Sequence, residues 1–178
     1  MALVLKRPAV FADTWIYIHS PNVRVGRIQN FGNWSPDLVE NPATSSLGLE
    51  YFCSRGDQTW SLDDRSLIAL AALEMEQLGL ASRAEVVWGK VIRQPKAYPV
   101  YDSHYRGHLD TIRGYLAGFA NLQTIGRNGQ HRYNNQDHSM LSGLAAVHRL
   151  MGQSADPWEI NTERSYYEDQ RLEASERP

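Results

Sequence analysis

The densest group of side chains that could bind or orient a ligand lies between residues 126 and 139. It begins with a glycine-flanked turn, Gly126-Arg127-Asn128-Gly129, and continues as a polar run over residues 130–139. Two glycines permit a close backbone approach or a positive φ. A turn that leads into a helix directs backbone N–H groups towards an anion or a polar ring. The pattern therefore predicts a ligand site, and a polar loop that only caps a helix is the alternative.

The residues on either side predict the elements that position this turn. The short apolar run 122–125 predicts a strand before it, and the small and apolar residues 140–151 predict a helix that ends at Gly152. Further upstream, Ser61 is expected to cap a helix that runs to about Leu78 and stops at Gly79. Another helix should start near Asp102, and residues at helical spacing predict its buried face: Tyr105, Leu109, Ile112, Leu116 and Phe119.

The remaining pattern predicts strands, at residues 2–5, 15–18, 23–31, 47–53 and 86–92. Gly26 interrupts the alternation of the third run, which predicts a bulge or a close backbone approach there. The order of elements predicts an α+β fold, in which about three helices pack against a mainly antiparallel, mixed sheet of roughly four to six strands.

Composition excludes several classes of protein. The chain has 178 residues, a formal net charge of −2 and one cysteine. The balanced charge offers no basic field for nucleic acid, and one cysteine excludes an internal disulfide framework. No apolar run approaches the roughly 20 residues of a membrane span. These features predict a cytoplasmic protein in a reducing compartment, with Cys53 as a buried structural thiol.

The titratable residues of the polar run do not predict a metal site. His131, Asp137 and His138 are spaced unlike any established ligand set, and a histidine at a helix start usually only forms hydrogen bonds. The sequence assigns no catalytic residue.

Four segments, in this order along the chain, resemble UDP-galactopyranose mutases. Val25-Gly26-Arg27 resembles that family's Tyr-Thr-Arg segment, Glu50-Tyr51 its Glu-Tyr-Pro strand, and Tyr98-Pro99-Val100 its Tyr-Pro-Ile segment. Gly126-Arg127, followed by His131-Arg132-Tyr133 and Asn135, resembles its Gly-Arg flavin motif. Residues 126–140 resemble still more closely a group of flavin-dependent, amine-oxidase-like proteins related to protoporphyrinogen oxidase.

The resemblance implies FAD as cofactor, at residues Gly126, Arg127, Asn128, Gly129, Asn135, Gln136 and Asp137. It also implies that Arg27, Tyr98 and Tyr133 bind the substrate, a nucleotide-sugar or another anionic small molecule. A mutase carboxylate falls on Asn135 here, and Asp137 lies two residues further on. Two alternatives stay open: Arg127 pairs with a carboxylate such as Glu50, and Tyr98 is a core tyrosine.

The same families begin with a dinucleotide-binding domain, and its glycine-rich turn does not occur in this sequence. Residues 1–152 are therefore expected to form a C-terminal substrate and FAD-closing domain, and residues 153–178 a charged tail that is a frayed helix or disordered. The expected function is part of an FAD-dependent oxidoreductase or mutase. The chain alone should be inactive, bind FAD weakly and need an N-terminal FAD-binding domain or a partner chain.

Two further expectations concern the chain in isolation. Apolar residues that would meet the absent domain should be exposed or paired between chains, and a homodimer that buries them is one arrangement. The alternative function is a non-catalytic interaction domain of the same fold that binds no flavin.

Overall fold

The computed structural model describes residues 1–162 and divides the chain into two compact units, Met1–Pro95 and Lys96–Pro178. The predicted tail lies mainly outside the described residues, since only residues 153–162 of it are covered. Those residues contain a short 3₁₀ helix, Pro157–Glu159.

The first unit is a five-stranded antiparallel sheet with one long helix. Its strands lie in the order β2-β3-β4-β1-β5, and their bounds are Ala2–Leu5 (β1), Trp15–Tyr17 (β2), Arg27–Asn30 (β3), Ser45–Glu50 (β4) and Val86–Lys90 (β5). Its helices are Phe31–Trp34 (α1), Gln58–Ser61 (α2) and Asp64–Gln77 (α3), with 3₁₀ turns at Pro36–Leu38 and Arg83–Glu85. The predicted α+β class with a mainly antiparallel sheet is confirmed.

The apolar core lies between one face of this sheet and α3. Alternate strand residues point into it, because successive side chains of a strand face opposite sides. They meet a stripe of α3, and the fully buried members are Leu3, Leu5, Ile28, Leu47, Leu49, Ala71 and Met75.

The buried carboxylate of Glu74 links α3 to the sheet through hydrogen bonds. Glu74 of α3 is only 2 % exposed. It accepts hydrogen bonds from the backbone N–H of Arg24 at 2.7 Å and of Val25 at 3.2 Å, and from the Tyr51 hydroxyl at 2.8 Å. Burial and this hydrogen bond raise the pKa of Tyr51. The carboxylate thus joins the helix to the chain on either side of the β3–β4 pair.

Three local predictions in this unit have different outcomes. Gly26 is confirmed as a close approach, since a Cβ there would lie 2.5 Å from the Phe52 ring. Ser61 as the helix cap is wrong: Ser61 ends α2, and Asp63 caps α3 by accepting from Ser66 N at 2.9 Å. Cys53 as a buried thiol is also wrong, because β4 ends at Glu50 and the thiol beyond it is exposed.

The second unit is helical over its described residues. It contains Tyr105–Leu116 (α4), Gly126–Gly129 (α5) and Gln136–Leu150 (α6), the last followed by Gly152 at φ +79. The predicted strand at residues 122–125 is wrong, because no segment of residues 1–162 pairs with it. The helix that was expected from residue 140 begins one turn earlier, at Gln136.

The predicted buried face of α4 is also wrong. No residue of α4 is buried, and Ile112 is 55 % exposed. Phe119, just beyond the helix, is 43 % exposed. Tyr105, Leu109 and Leu116 are half-buried, so packing within residues 1–162 covers the predicted face only in part.

The buried carboxylate generates a stability prediction. Glu74→Ala should lower the free energy of unfolding by about 3 to 5 kcal/mol, because it leaves two backbone N–H groups and a hydroxyl buried without an acceptor. Chemical denaturation followed by circular dichroism measures this loss. Glu76→Ala is the matched control on the same helix. Glu76 is 41 % exposed and paired with Arg83 at 2.8 Å, so its loss should stay below about 1 kcal/mol. Equal losses in the two variants would contradict the assigned role of Glu74.

Candidate functional site

The candidate site is built around a single turn of helix, α5, that opens with Gly126. Gly126 has φ +72, a conformation that favours glycine. Its N–H donates to the Ser142 hydroxyl at 2.9 Å, and that hydroxyl donates to the carbonyl of Ser139 at 2.8 Å. Ser142 is fully buried in α6. The glycine turn is therefore anchored to the long helix, and its first N–H is already used.

Arg127 is the central side chain of this site. Its guanidinium carbon lies 4.1 Å from the ring centroid of Tyr133 and 5.2 Å from that of Tyr98. Within residues 1–162, its Nε and Nη2 are buried and have no hydrogen-bond partner. Aromatic faces attract a cation but do not accept the in-plane N–H groups as a carboxylate or carbonyl does. Arg127 thus presents buried donors that an acceptor from outside the described residues would satisfy.

The structure does not support the alternative in which Arg127 pairs with Glu50, because the Glu50 carboxylate is paired with another arginine. Glu50 forms a bidentate ion pair with Arg27 of β3, with Nε–Oε1 at 3.0 Å and Nη2–Oε2 at 2.6 Å. The amide of Gln29 donates to the same carboxylate at 2.6 Å. The charge of Arg27 is therefore balanced inside the first unit, where its guanidinium also lies about 6 Å from the rings of Trp15 and Tyr17.

The predicted tyrosines lie against Arg127. Tyr98 is 49 % exposed, so it is not a core side chain. It belongs to the irregular segment before α4. The carbonyl of Tyr133 accepts a hydrogen bond from the Asn161 amide at 3.0 Å, which helps to hold its backbone in place.

Two residues of the polar run have a structural role that the sequence did not reveal. Gln130 is fully buried and donates to the carbonyl of Pro157 at 2.7 Å. Asn134 is 2 % exposed, donates to Gln130 at 2.9 Å and accepts from Asn161 at 3.1 Å. In the sequence, the only indication of this hydrogen-bond network was the pair of amide side chains four residues apart. The network ties the segment after α6 to the turn that carries Arg127.

Arg132 also binds the segment after α6. Its Nη1 donates to the carbonyls of Trp158 at 2.7 Å and Ile160 at 2.6 Å. The alternative of a structural polar loop therefore holds for this part of the run.

The other predicted cofactor residues lie at the surface. Asn128, Gly129, Gln136 and Asp137 are exposed. Asn135 is the N-cap of α6, and its backbone N–H donates to His138 Nδ1 at 3.2 Å. The first turn of α6 carries the partial positive charge of a helix N-terminus and follows the glycine turn closely along the chain.

Neither a metal site nor a membrane span is found in the part of the chain that the structure describes. No three histidine, cysteine or carboxylate side chains there are grouped to hold a metal ion. No helix among residues 1–162 is both long enough and apolar enough to cross a bilayer.

Comparisons with known proteins identify the fold. No protein-family model matches the sequence, and no curated protein matches it. The chain is similar to a solved structure described as "Crystal structure of reduced UDP-Galactopyranose mutase", with a TM-score of 0.69 and 23 % identity over 85 % of this chain. The match covers 33 % of that protein. The chain thus has the fold of part of a UDP-galactopyranose mutase and spans about a third of that protein's length.

Proposed function

We propose that this chain is the substrate-side and flavin-closing part of an FAD-dependent oxidoreductase or a mutase-like flavoenzyme. The observation that carries the proposal is the buried guanidinium of Arg127, whose Nε and Nη2 have no partner within residues 1–162. The mutase-like fold and the resemblance of residues 126–140 to flavin motifs support it.

Arg127 fits the electron-rich N1 and O2 edge of an isoalloxazine. A guanidinium offers planar, forked donors that remain charged at any physiological pH. The rings of Tyr98 and Tyr133 both lie against it. When bound, FAD supplies hydride or electron transfer, and the protein supplies orientation and a fixed positive charge.

The start of α6 adds a second favourable element. Its 15 residues give a helix dipole whose positive end lies at Gln136. Asn135, at the N-cap, can donate as well as accept hydrogen bonds, and it carries no charge that would oppose an anionic ligand. Asp137, 68 % exposed, is directed largely to solvent.

The proposed substrate is a nucleotide-sugar or another anionic small molecule, contacted by Arg27, Tyr98 and Tyr133. Arg27 imposes a condition on this role. Because Glu50 already occupies its fork through two hydrogen bonds, a substrate phosphate would have to displace that carboxylate.

The proposal also requires a partner for the ADP half of FAD. That half is usually held by a glycine-rich turn and a helix N-terminus of a Rossmann-type domain. The sequence contains no such turn. A dinucleotide-binding domain, in the same polypeptide or in another chain, would supply it.

A non-catalytic interaction domain remains the second candidate function. The observation that favours it is the set of exposed apolar side chains in the second unit, such as Leu144 and Met151. The visible absorption spectrum of the chain with its natural partner distinguishes the two. Flavin bands support the enzyme, and their absence supports the interaction domain.

The proposed function predicts that this chain alone binds FAD only weakly. The purified protein should be colourless, and calorimetric titration should give a Kd weaker than about 1 μM, since the contacts to the ADP half are absent. A Kd of about 1 μM or tighter would contradict the need for a partner domain.

A further prediction from the proposed function concerns Arg127. Arg127→Ala should weaken the residual FAD binding about tenfold, which corresponds to the loss of one charge-assisted hydrogen bond of about 1.4 kcal/mol. Arg127→Lys keeps the charge but not the fork and should give an intermediate loss. Quenching of flavin fluorescence measures each Kd.

The matched control for this experiment is Arg149→Ala. Arg149 lies on α6, is half exposed and only approaches Asp156 at 3.5 Å. Its substitution should leave FAD binding unchanged. Equal effects of the Arg127 and Arg149 substitutions would show that general charge, rather than the buried fork, attracts the flavin.

A further inference from the structure

The sheet of the first unit carries a row of aromatic rings, with an arginine among them, on the face opposite α3. Arg27 flanks the buried Ile28 in β3 and so points away from the core. Its guanidinium carbon lies 6.0 Å from the Trp15 ring and 5.7 Å from the Tyr17 ring. The Trp15 and Trp34 ring centroids are 5.4 Å apart, with their planes inclined by 38°. The three rings are about half exposed, and with Arg27 they form what we call the aromatic row.

The short helix α1, which carries Trp34, is held firmly on this face. The Asn33 amide donates to two backbone carbonyls in the segment before β2, each at 2.9 Å. Gly48 of β4 has no side chain, and a Cβ there would lie 2.7 Å from the Phe31 ring. The helix therefore lies directly against the strand. Rings that are fixed before a ligand arrives lower the entropic cost of binding.

The polar groups beside the aromatic row form a neutral cluster that contains both donors and acceptors. Glu50 accepts two hydrogen bonds from Arg27 and one from the Gln29 amide. Arg27 also donates to the Tyr17 hydroxyl at 3.4 Å. The opposite charges of Arg27 and Glu50 cancel, so the cluster has no net attraction for a phosphate. Their side chains are still 20 and 26 % exposed, and a ligand can reach them.

We propose that the aromatic row and the neutral cluster bind the ring of a neutral sugar, a hexopyranose. The C–H groups on one face of such a ring pack against the electron-rich faces of aromatic side chains. Each sugar hydroxyl both donates and accepts hydrogen bonds, which matches the mixed groups of Arg27, Glu50 and Gln29. Aromatic walls with a few convergent polar groups are typical of small-ligand sites. A neutral ring also leaves the pairing of Arg27 with Glu50 intact, whereas a phosphate does not.

This inference deepens the proposed function and rests on it for the place of Arg27 in the substrate site. It assigns the sugar part of a nucleotide-sugar to this face, and it adds Trp15 and Trp34 as residues that select the ring. Neither tryptophan belongs to the segments that resemble the mutases. The test involves no flavin, so a failure of sugar binding is distinguished from a failure of the proposed flavin binding.

Saturation-transfer difference NMR on the full chain tests for the sugar. The probes are methyl β-D-galactopyranoside and methyl β-D-glucopyranoside, and glycerol is the control ligand, since it has hydroxyl groups but no ring face. At least one glycoside should receive saturation on the C–H protons of one ring face, with a Kd on the order of 1 mM. Glycerol should receive none. Absence of transfer to both glycosides would overturn the proposal.

Substitution of single tryptophans locates the bound ring. Trp15→Ala and Trp34→Ala should each raise the glycoside Kd at least threefold, because each removes one stacking face. Trp88→Ala is the matched control. Trp88 is 52 % exposed and lies on β5, at the opposite edge of the same sheet from β2, so its loss should leave the Kd unchanged. Equal effects of all three substitutions would refute the site. Far-UV circular dichroism verifies folding, and if neither Trp15→Ala nor Trp34→Ala folds, competition with phosphate decides.

Competition with inorganic phosphate separates a neutral ligand from an anion. About a tenfold molar excess of phosphate over the glycoside should leave saturation transfer in the unmodified chain unchanged, because Glu50 neutralises Arg27. Glu50→Gln removes the negative charge, so phosphate should then displace the glycoside. Displacement by phosphate from the unmodified chain would show that Arg27 exchanges Glu50 for an anion, and this result would overturn the assignment to a neutral ring.

Discussion

The burial of apolar side chains is the constraint on which the stability of each unit depends. In the first unit, alternate residues of the strands meet one stripe of α3, and this single layer of contacts supplies most of the buried apolar cluster. Each fully buried aliphatic side chain contributes about 1.5 to 3 kcal/mol. The described part of the second unit has no comparable layer. It is held by hydrogen bonds of polar side chains, above all those of Gln130, Asn134 and Arg132. Such bonds contribute only about 1 kcal/mol each in net terms, so the second unit depends more on what covers it.

The two units also differ in how each one satisfies an arginine that lies against aromatic rings. Arg27 and Arg127 each lie against two aromatic rings. Arg27 is neutralised by a bidentate carboxylate, and its side chain is part of the sheet surface. Arg127 keeps two buried N–H-bearing nitrogens without an acceptor among residues 1–162. A buried cation without a counter-ion costs free energy until an acceptor arrives, which makes Arg127 the better prepared of the two for a ligand.

The polar run shows how one stretch of sequence can divide between structure and ligand binding. Gln130, Asn134 and Arg132 are directed towards residues 157–161 and fix the loop. Arg127 and Tyr133 form the stacked pair beside it. The fixed loop holds the stacked pair in one geometry, as a binding site with preorganised side chains requires. Composition marks the run as special, but it does not separate the residues that hold the loop from those that are left to bind.

The sequence by itself determined the features that depend on local chemistry. Runs of strand-type residues located β1, β4 and β5 to within a few residues, and glycines with positive φ ended α3 and α6 at Gly79 and Gly152. The interrupted pattern at Gly26 correctly indicated a backbone too close to another group for a side chain. These features follow from neighbouring residues, since backbone dihedrals and side-chain direction are set within a turn or a strand.

Only the tertiary structure decided which faces are covered. Helical spacing placed Ile112 and Leu116 on one face of α4, yet Ile112 is exposed and Leu116 is half-buried. The apolar run at residues 122–125 has strand-like composition, but a strand exists only when a neighbour completes its hydrogen bonds. Likewise, the pairing of Arg27 with Glu50 depends on the register of β3 against β4, which no local pattern reports. Periodicity shows which side chains share a face, and only the packed chain shows what, if anything, meets that face.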